Sequence, residues 1–476
     1  MIFNSFSFLI FFLVFYILYL VVRETRIRIL LCLLGSYFFY GWWDYRFLSL
    51  IVFSTLVDYY LGRKLYETTD QRSRKRLLYC SLFSNLGLLF FFKYFNFFIE
   101  SFVDISASIG LSADVHTLNI LLPVGISFYT FQTMSYTIDI YKRKLEPENN
   151  LITFATYVAF FPQLVAGPIV RAIDLLPQFH KKISITATQI RVGLFLIVLG
   201  YFKKVVIADS IAPLVDSVFS ASEGYSSLHI AIIVVFYAFQ IYCDFSGYSD
   251  IAIGIGKLLG FNFPTNFNLP YFAKNFSDFW RRWHITLSSW LRDYLYITLG
   301  GNRGGYIFTQ RNLMITMLLG GLWHGANWTF IIWGFLHGLY LIGQRLIEPI
   351  TNRLVQVLPK AISTVLGILI TFALVNVAWV FFRSQSIDDA FRLLGQIISM
   401  EDLSFTGVKQ KFQILQIIVV ISALISCELI YYLYRDKVVA YFHSFYSVQI
   451  ILSCIMLWMI LLFGSFASNN FIYFQF

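Results

Sequence analysis

The stretch that decides the fold is residues 312–344, NLMITMLLGGLWHGANWTFIIWGFLHGLYLIGQ, which contains no Asp, Glu, Lys or Arg. One helix needs about 20 apolar residues to cross a membrane, so this run is too long for a single crossing. Arg311 and Arg345 bound it at its two ends, and both prefer the cytoplasmic side of a membrane. The run is therefore predicted to enter the membrane, turn at its central glycines and return.

The rest of the chain is also rich in hydrophobic residues and poor in charged ones. Of its 476 residues, 58% are hydrophobic and 13% are charged, whereas a soluble domain carries about 25% charged residues. Apolar stretches recur between short charged loops, beginning with residues 6–22, which is predicted to be an uncleaved first span. The chain is predicted to be an all-α polytopic membrane protein with about eleven transmembrane helices of ~20 residues, plus re-entrant and interfacial helices. Disordered, collagen-like, coiled-coil and disulfide-stapled classes are excluded.

Charge and cysteine usage exclude further classes. The net charge is +10, but the Lys and Arg residues lie in short loops between helices, where cytoplasmic anchoring explains them better than nucleic acid does. The five cysteines are scattered and odd in number, which indicates neither a disulfide framework nor a zinc site. No Walker loop or Rossmann glycine pattern has a suitable context, which argues against nucleoside triphosphate chemistry.

Residues 151–170 form an apolar stretch that is interrupted by Pro162, Gly167 and Pro168. Broken backbone at membrane depth persists only where protein or a water-filled cavity satisfies its polar groups. The stretch is therefore predicted to be re-entrant, and it implies a cavity.

Residues 275–299 are predicted to form one amphipathic helix along the cytoplasmic interface, with Asn275 as its N-cap. Arg281 and Arg282 lie on its polar face, and His284 lies at the edge of its apolar face. The pattern alone is compatible with a lipid anchor, and His284 is compatible with either a titrating or a structural role.

Two further features leave alternatives open. His324 is thirteen residues from Arg311, which places it ~20 Å along a helix and inside a ~30 Å hydrocarbon layer. A histidine at that depth is either a catalytic base or a satisfied core residue, whereas His337 is expected to hydrogen-bond a neighbouring helix. Lys203 and Lys204 either reach an interface or face a polar cavity.

Five segments resemble one known family, the membrane-bound O-acyltransferases, and within it the alginate O-acetyltransferase type. The segments are SYTIDIYKRKLEPE (135–148), FFPQLVAGPIVR (160–171), YCDFSGYSDIAIGIGKLLGF (242–261), NFSDFWRRWHITLSSWLRDYLYITLGGNRGG (275–305) and GGLWHGANWTF (320–330). The resemblance implies one integral membrane domain over residues 1–476, with a motif-bearing centre at about 118–345. It also implies helices around a central, water-accessible funnel in a bacterial cytoplasmic membrane.

The resemblance implies roles for four residues as well. His324 matches the family's central histidine and is predicted to be the catalytic base, while His284 matches the second polar catalytic position. Arg281 or Arg282 is predicted to hold the anionic groups of an acyl thioester, with acetyl-coenzyme A as the expected donor. No bound cofactor and no metal are expected.

The resemblance further implies O-acetylation of an exported polysaccharide, directly or through an extracytoplasmic acetyltransferase partner. That partner is expected to dock near residues 384–411, where acidic side chains would attract it. The acidic residues are Asp388, Asp389, Glu401 and Asp402. Two alternatives are a D-alanyl-type transferase acting on teichoic acid, whose donor is a small carrier protein, and a non-catalytic transporter.

Overall fold

The computed structural model describes residues 1–111, 115–165, 167–221, 224–401, 403, 410–466 and 471–472. The regular elements within these residues are all helical. The α-helices are α1 (Phe6–Val21), α2 (Thr25–Asp44), α3 (Leu48–Glu67), α4 (Gln71–Leu89), α5 (Phe95–Ser108), α6 (Ile126–Tyr141), α7 (Leu151–Ala159), α8 (Phe161–Leu164), α9 (Ala172–Phe179), α10 (Ala187–Tyr201), α11 (Asp209–Ser220), α12 (Ser227–Leu258), α13 (Phe276–Trp280), α14 (Ile285–Trp290), α15 (Tyr306–His324), α16 (Trp328–Val357), α17 (Lys360–Arg383), α18 (Ile387–Ser399), α19 (Lys411–Ser444) and α20 (Tyr446–Phe463).

Six helices among the described residues are long and apolar enough to cross a membrane. They are Gln71–Ser108, Ser227–Leu258, Trp328–Thr351, Lys360–Arg383, Lys411–Phe442 and Tyr446–Phe463. The predicted class, an all-α polytopic membrane protein, is confirmed. The six are fewer than the predicted eleven partly because α1 and α6 have only 16 residues each, short of the ~20 that a full crossing needs. The number of crossings stays a prediction.

The chain divides into two compact units. Unit 1 contains Met1–Leu194 and Ala252–Pro264, and unit 2 contains Phe195–Ile251 and Thr265–Phe476. The helical hairpin predicted for residues 312–344 and the two candidate catalytic histidines all belong to unit 2.

Unit 1 contains the broken stretch predicted at residues 151–170. The helix stops at Phe160, and Pro162 occupies the first turn of α8. The backbone N–H of Phe161 donates to Ser36 Oγ at 3.0 Å, and Gln163 Nε2 donates to the Tyr157 carbonyl at 2.8 Å. The predicted break is confirmed, and protein groups satisfy part of its polar atoms, while Gln163 Oε1 is buried without a hydrogen-bond partner among the described residues. The cavity at this stretch stays a prediction.

Unit 2 contains the hairpin that the charge-free run predicted. Helices α15 and α16 pack against each other and are joined by a turn after His324. Two glycines make this packing possible, because a Cβ on Gly321 would collide with the Phe330 carbonyl, and a Cβ on Gly334 with the Met317 carbonyl. The close approach places His324 at the tip of the hairpin.

We expect Gly334→Ala to lower the thermal stability of the purified protein, since the new methyl group must push the α15 backbone away. The matched control is Gly343→Ala in the same helix, where nothing lies within 4 Å of the added Cβ. That change should be neutral or stabilise by up to ~1 kcal/mol, because alanine favours the helix over glycine. Equal unfolding midpoints for the two variants would contradict the proposed packing.

The buried lysines of unit 2 resolve the alternatives left by the sequence. They lie in a π-helical turn, Phe202–Ala208. Lys204 Nζ is 2.8 Å from Asp209 Oδ1 and 2.6 Å from Asp244 Oδ1, while Lys203 Nζ is 2.7 Å from Asp250 Oδ2. Both lysines are therefore held in ion pairs rather than extended to an interface.

Candidate active site

The segment predicted to be a single interfacial helix is interrupted at His284. Asn275 does cap it, since its side chain accepts the backbone N–H of Asp278 at 2.9 Å. However, α13 ends at Trp280, and His284 has φ 40° and ψ 55°, in the left-handed region. The prediction of one continuous amphipathic helix from 275 to 299 was therefore wrong. A non-glycine residue in this conformation costs on the order of 1–3 kcal/mol, and such residues cluster at functional sites.

Two backbone hydrogen bonds stabilise this break. The N–H of Ile285 donates to the Asn266 carbonyl at 2.9 Å, and the N–H of Asn268 donates to the Arg282 carbonyl at 2.9 Å. The irregular segment 266–268 thus runs beside residues 282–285 and replaces hydrogen bonds that a continuous helix would have made.

The His284 side chain is fully buried among aromatic rings. Its ring lies 4.6 Å from that of Phe245 and 6.1 Å from that of Trp323, measured between centroids. Nδ1 is 3.0 Å from Asn266 Oδ1, while Nε2 has no hydrogen-bond partner among the described residues. Burial lowers the pKa of His284 to about 3, so the ring is neutral at physiological pH.

His324, the last residue of α15, is buried close to His284. Its ring contacts Trp323 at 5.0 Å, Trp333 at 4.9 Å and Phe382 at 5.3 Å between centroids. Because Trp323 also contacts His284, one indole links the two histidines. The structure therefore brings together the two residues predicted to be catalytic, although 40 positions separate them in the sequence.

The two arginines predicted to bind the donor differ in their surroundings. Arg282 is held by the chain itself: its Nε lies 2.8 Å from Asp278 Oδ1, and its Nη1 donates to the Asn268 carbonyl at 3.3 Å. Arg281 is exposed, and no ion pair engages it among the described residues. Of the two, Arg281 has the guanidinium better able to bind an anionic donor group.

His337 is held by aromatic packing rather than by the expected hydrogen bond to a neighbouring helix. Neither of its ring nitrogens has a hydrogen-bond partner within the described residues. Instead, the imidazole stacks on Phe279 at 5.8 Å and contacts Trp280 and Trp333 at 5.1 and 4.7 Å. We therefore treat it as a packing residue.

Two features near His284 had no signal in the sequence. The first is Asn266, which lies in an irregular loop where a polar residue is unremarkable. The second is the segment 471–472: the N–H of Ile472 donates to Asp244 Oδ2 at 2.7 Å, and Phe471 packs 5.7 Å from Phe245. Phe245 thus contacts both Phe471 and the imidazole of His284.

Within the described residues, no group of three or more His, Cys, Asp or Glu side chains could hold a metal ion.

Comparisons with known proteins identify the family of this chain. The model of the MBOAT, membrane-bound O-acyltransferase family, matches residues 142–387, which include both histidines. The chain is 43% identical to the probable alginate O-acetylase AlgI of Azotobacter vinelandii, over 86% of this chain and 80% of the relative. It is 38% identical to the peptidoglycan O-acetyltransferase of Helicobacter pylori, over 84% of this chain and 79% of the relative.

A more distant relative is the teichoic acid D-alanyltransferase of Streptococcus thermophilus, which is 28% identical over 48% of this chain and 57% of its own length. The family match and the extent of the identities distinguish an enzyme from a non-catalytic transporter. The chain belongs to the membrane-bound O-acyltransferase family.

Proposed function

We propose that this enzyme transfers an acetyl group from a cytoplasmic thioester, acetyl-coenzyme A, to hydroxyl groups of an exported polysaccharide. The observation that carries the proposal is the pair of buried histidines that both contact Trp323. Two relatives that match most of the chain are named for O-acetylation of alginate or peptidoglycan, both of which are polysaccharides. The D-alanyl transferase matches only about half of the chain, so a teichoic acid substrate is the second candidate.

In the proposed reaction, His324 acts as the general base. Its imidazole takes the proton of the acceptor hydroxyl as the oxygen attacks the thioester carbonyl carbon, and the new C–O bond forms. The C–S bond then breaks, and the imidazolium returns the proton to the departing thiolate, which leaves as a thiol. The aromatic rings around His324 exclude competing water, and Arg281 binds the anionic groups of the donor.

His284, which also contacts Trp323, is assigned a supporting role. As a hydrogen-bonding group it can polarise the donor carbonyl or orient a substrate within the site. Which of these it does depends on which ring nitrogen carries the proton.

An extracytoplasmic partner is part of the proposal, and its expected docking segment, 384–411, contains one helix. Residues 387–399 form α18, and Asp389 in its first turn already pairs with Arg392 at 2.7 Å. Asp388 in the same turn and Glu401 beyond the helix retain the acidic character that was expected to attract a partner, and Asp402 lies outside the described residues. The first turn of α18 is therefore the described part of the proposed docking site.

Reconstitution in vesicles tests the function. We expect the purified protein to consume acetyl-coenzyme A in the presence of polysaccharide and an extracytoplasmic acetyltransferase, with ester acetate appearing on the glycan. A parallel reaction with a D-alanyl carrier protein and teichoic acid should give no transfer. Transfer only in that second reaction would favour the D-alanyl function, and efficient O-acetylation without any second protein would remove the need for a partner.

A further inference from the structure

Asn266 is the polar side chain that contacts the imidazole of His284. Its side chain is buried, with 1% of the residue exposed. Oδ1 accepts from Thr286 Oγ1 at 2.9 Å and from the Thr286 backbone N–H at 3.3 Å, and it also faces His284 Nδ1 at 3.0 Å. On the other side of the amide, Nδ2 donates to Ser249 Oγ at 3.0 Å.

This set of contacts fixes which nitrogen of His284 carries the proton. A backbone N–H can only donate, so the Asn266 atom that faces Thr286 must be the carbonyl oxygen. That oxygen has no hydrogen, and the His284 nitrogen that approaches it must therefore supply one. In a neutral imidazole only one nitrogen is protonated, so Nδ1–H leaves Nε2 with a lone pair.

We propose that Asn266 is a positioning residue that holds His284 in its Nδ1-protonated form, so that Nε2 accepts a hydrogen bond from a second hydroxyl of the acceptor sugar, beside the hydroxyl that attacks. A neutral ring in this form cannot donate from Nε2, so it does not polarise the donor carbonyl. His284 instead orients the acceptor sugar, while His324 removes the proton of the attacking hydroxyl. This inference rests on the proposed acyl transfer for the role of His284, but the protonation pattern stands on its own contacts.

Among the described neighbours of His284, Asn266 is the side chain that determines which ring nitrogen is protonated. The rings packed against it from α12 and from the segment 266–268 are phenylalanines, and the ring from α15 is Trp323. The charged residue next to Phe245 in α12 is Asp244, whose carboxylate is paired with Lys204. The titratable residue next to Trp323 is His324. A change at Asn266 should therefore act on His284 directly.

Two substitutions separate positioning from packing. Asn266→Leu preserves size but removes the acceptor, and we expect its kcat to fall about 10- to 100-fold because the ring can rotate and change its protonated nitrogen. Asn266→Asp keeps an acceptor and adds a negative charge, which raises the pKa of His284. Protonation of Nε2 abolishes its acceptor role, and the pH at which the 15N signals of His284 report this protonation should rise by about one unit or more.

The matched control is Ser249→Ala, which removes the contact to Nδ2 and leaves the Oδ1 contacts in place. Its activity should stay within about threefold of the wild type, with the protonation pH of His284 unmoved. A purely structural role for Asn266 would make all three variants lose thermal stability together without a shift in the protonation pH of His284. A wild-type rate for Asn266→Leu, or an unmoved protonation pH of His284 in Asn266→Asp, would overturn the proposal.

A readout independent of turnover distinguishes this inference from the proposed function. In protein labelled with 15N-histidine, the His284 signals can be assigned by their disappearance in His284→Asn, a substitution that tolerates the left-handed backbone. We expect the spectrum of a neutral ring protonated at Nδ1. A proton on Nε2 would refute the inference even if the enzyme acetylates its polysaccharide. The expected spectrum in a protein without acetyltransferase activity would leave the inference intact and refute the proposed function.

Discussion

His324→Phe is expected to lower acetyl transfer by 10²- to 10⁴-fold, the loss typical for removal of a general base. Phenylalanine preserves a ring that can pack against Trp323, Trp333 and Phe382. The substitution therefore removes the titrating nitrogen while leaving the hydrophobic packing largely in place. His324→Ala should lose as much activity and more stability, because it also leaves a cavity.

The same change at His337 provides the control. His337 is buried in the same aromatic cluster and contacts Trp333 at 4.7 Å, but it has no assigned chemical role. We expect His337→Phe to insert, elute as a single species on size exclusion and transfer acetyl groups at close to the wild-type rate. If a folded His324→Phe retained near wild-type activity, His324 would be a core residue and the proposed mechanism would fail.

Lys204→Met should be the most destabilising of the substitutions considered. The Lys204, Asp209 and Asp244 side chains are only 1–3% exposed. Removing the ammonium leaves two buried carboxylates without their counter-ion, and breaking a buried pair in this way costs about 3–5 kcal/mol. The loss should appear as a large fall in the thermal unfolding midpoint of the detergent-solubilised protein, or as a poor yield of folded protein.

Lys203→Met tests whether the burial of the Lys204 ion pairs causes the large loss of stability expected for Lys204→Met. Among the described residues Lys203 forms its ion pair with Asp250, and their side chains are 11% and 19% exposed, so water can still solvate the remaining carboxylate. Its unfolding midpoint should fall less. Adding Asp209→Asn to Lys204→Met should recover part of the loss, since one uncompensated charge disappears. Equal midpoints for Lys203→Met and Lys204→Met would show that the deeper burial of the Lys204 triad does not enlarge the loss.

The sequence by itself determined the features that depend on local composition. The charge-free run at 312–344 is too long for one crossing, which required a hairpin, and its glycines supplied the close contact between the two helices. Pro162 dictated the break in 151–170, and Asn275 dictated where α13 begins. Hydrophobic length, proline and capping act over a few residues, so a reader of the sequence can apply them without knowing the partners.

Only the tertiary structure decided where polar groups find their partners. The periodicity of 275–299 predicted a continuous helix, but the backbone at His284 turns to the left-handed region while the segment 266–268 runs beside it. Lys204 fitted an interface or a cavity equally well until Asp209 and Asp244 were placed beside it. Such choices depend on residues tens of positions apart, because a buried polar group takes its hydrogen bonds from whichever elements the packing brings close. The motif residues identified His324 and His284, but the contact of each with Trp323 and the hold of Asn266 on His284 exist only in the folded chain.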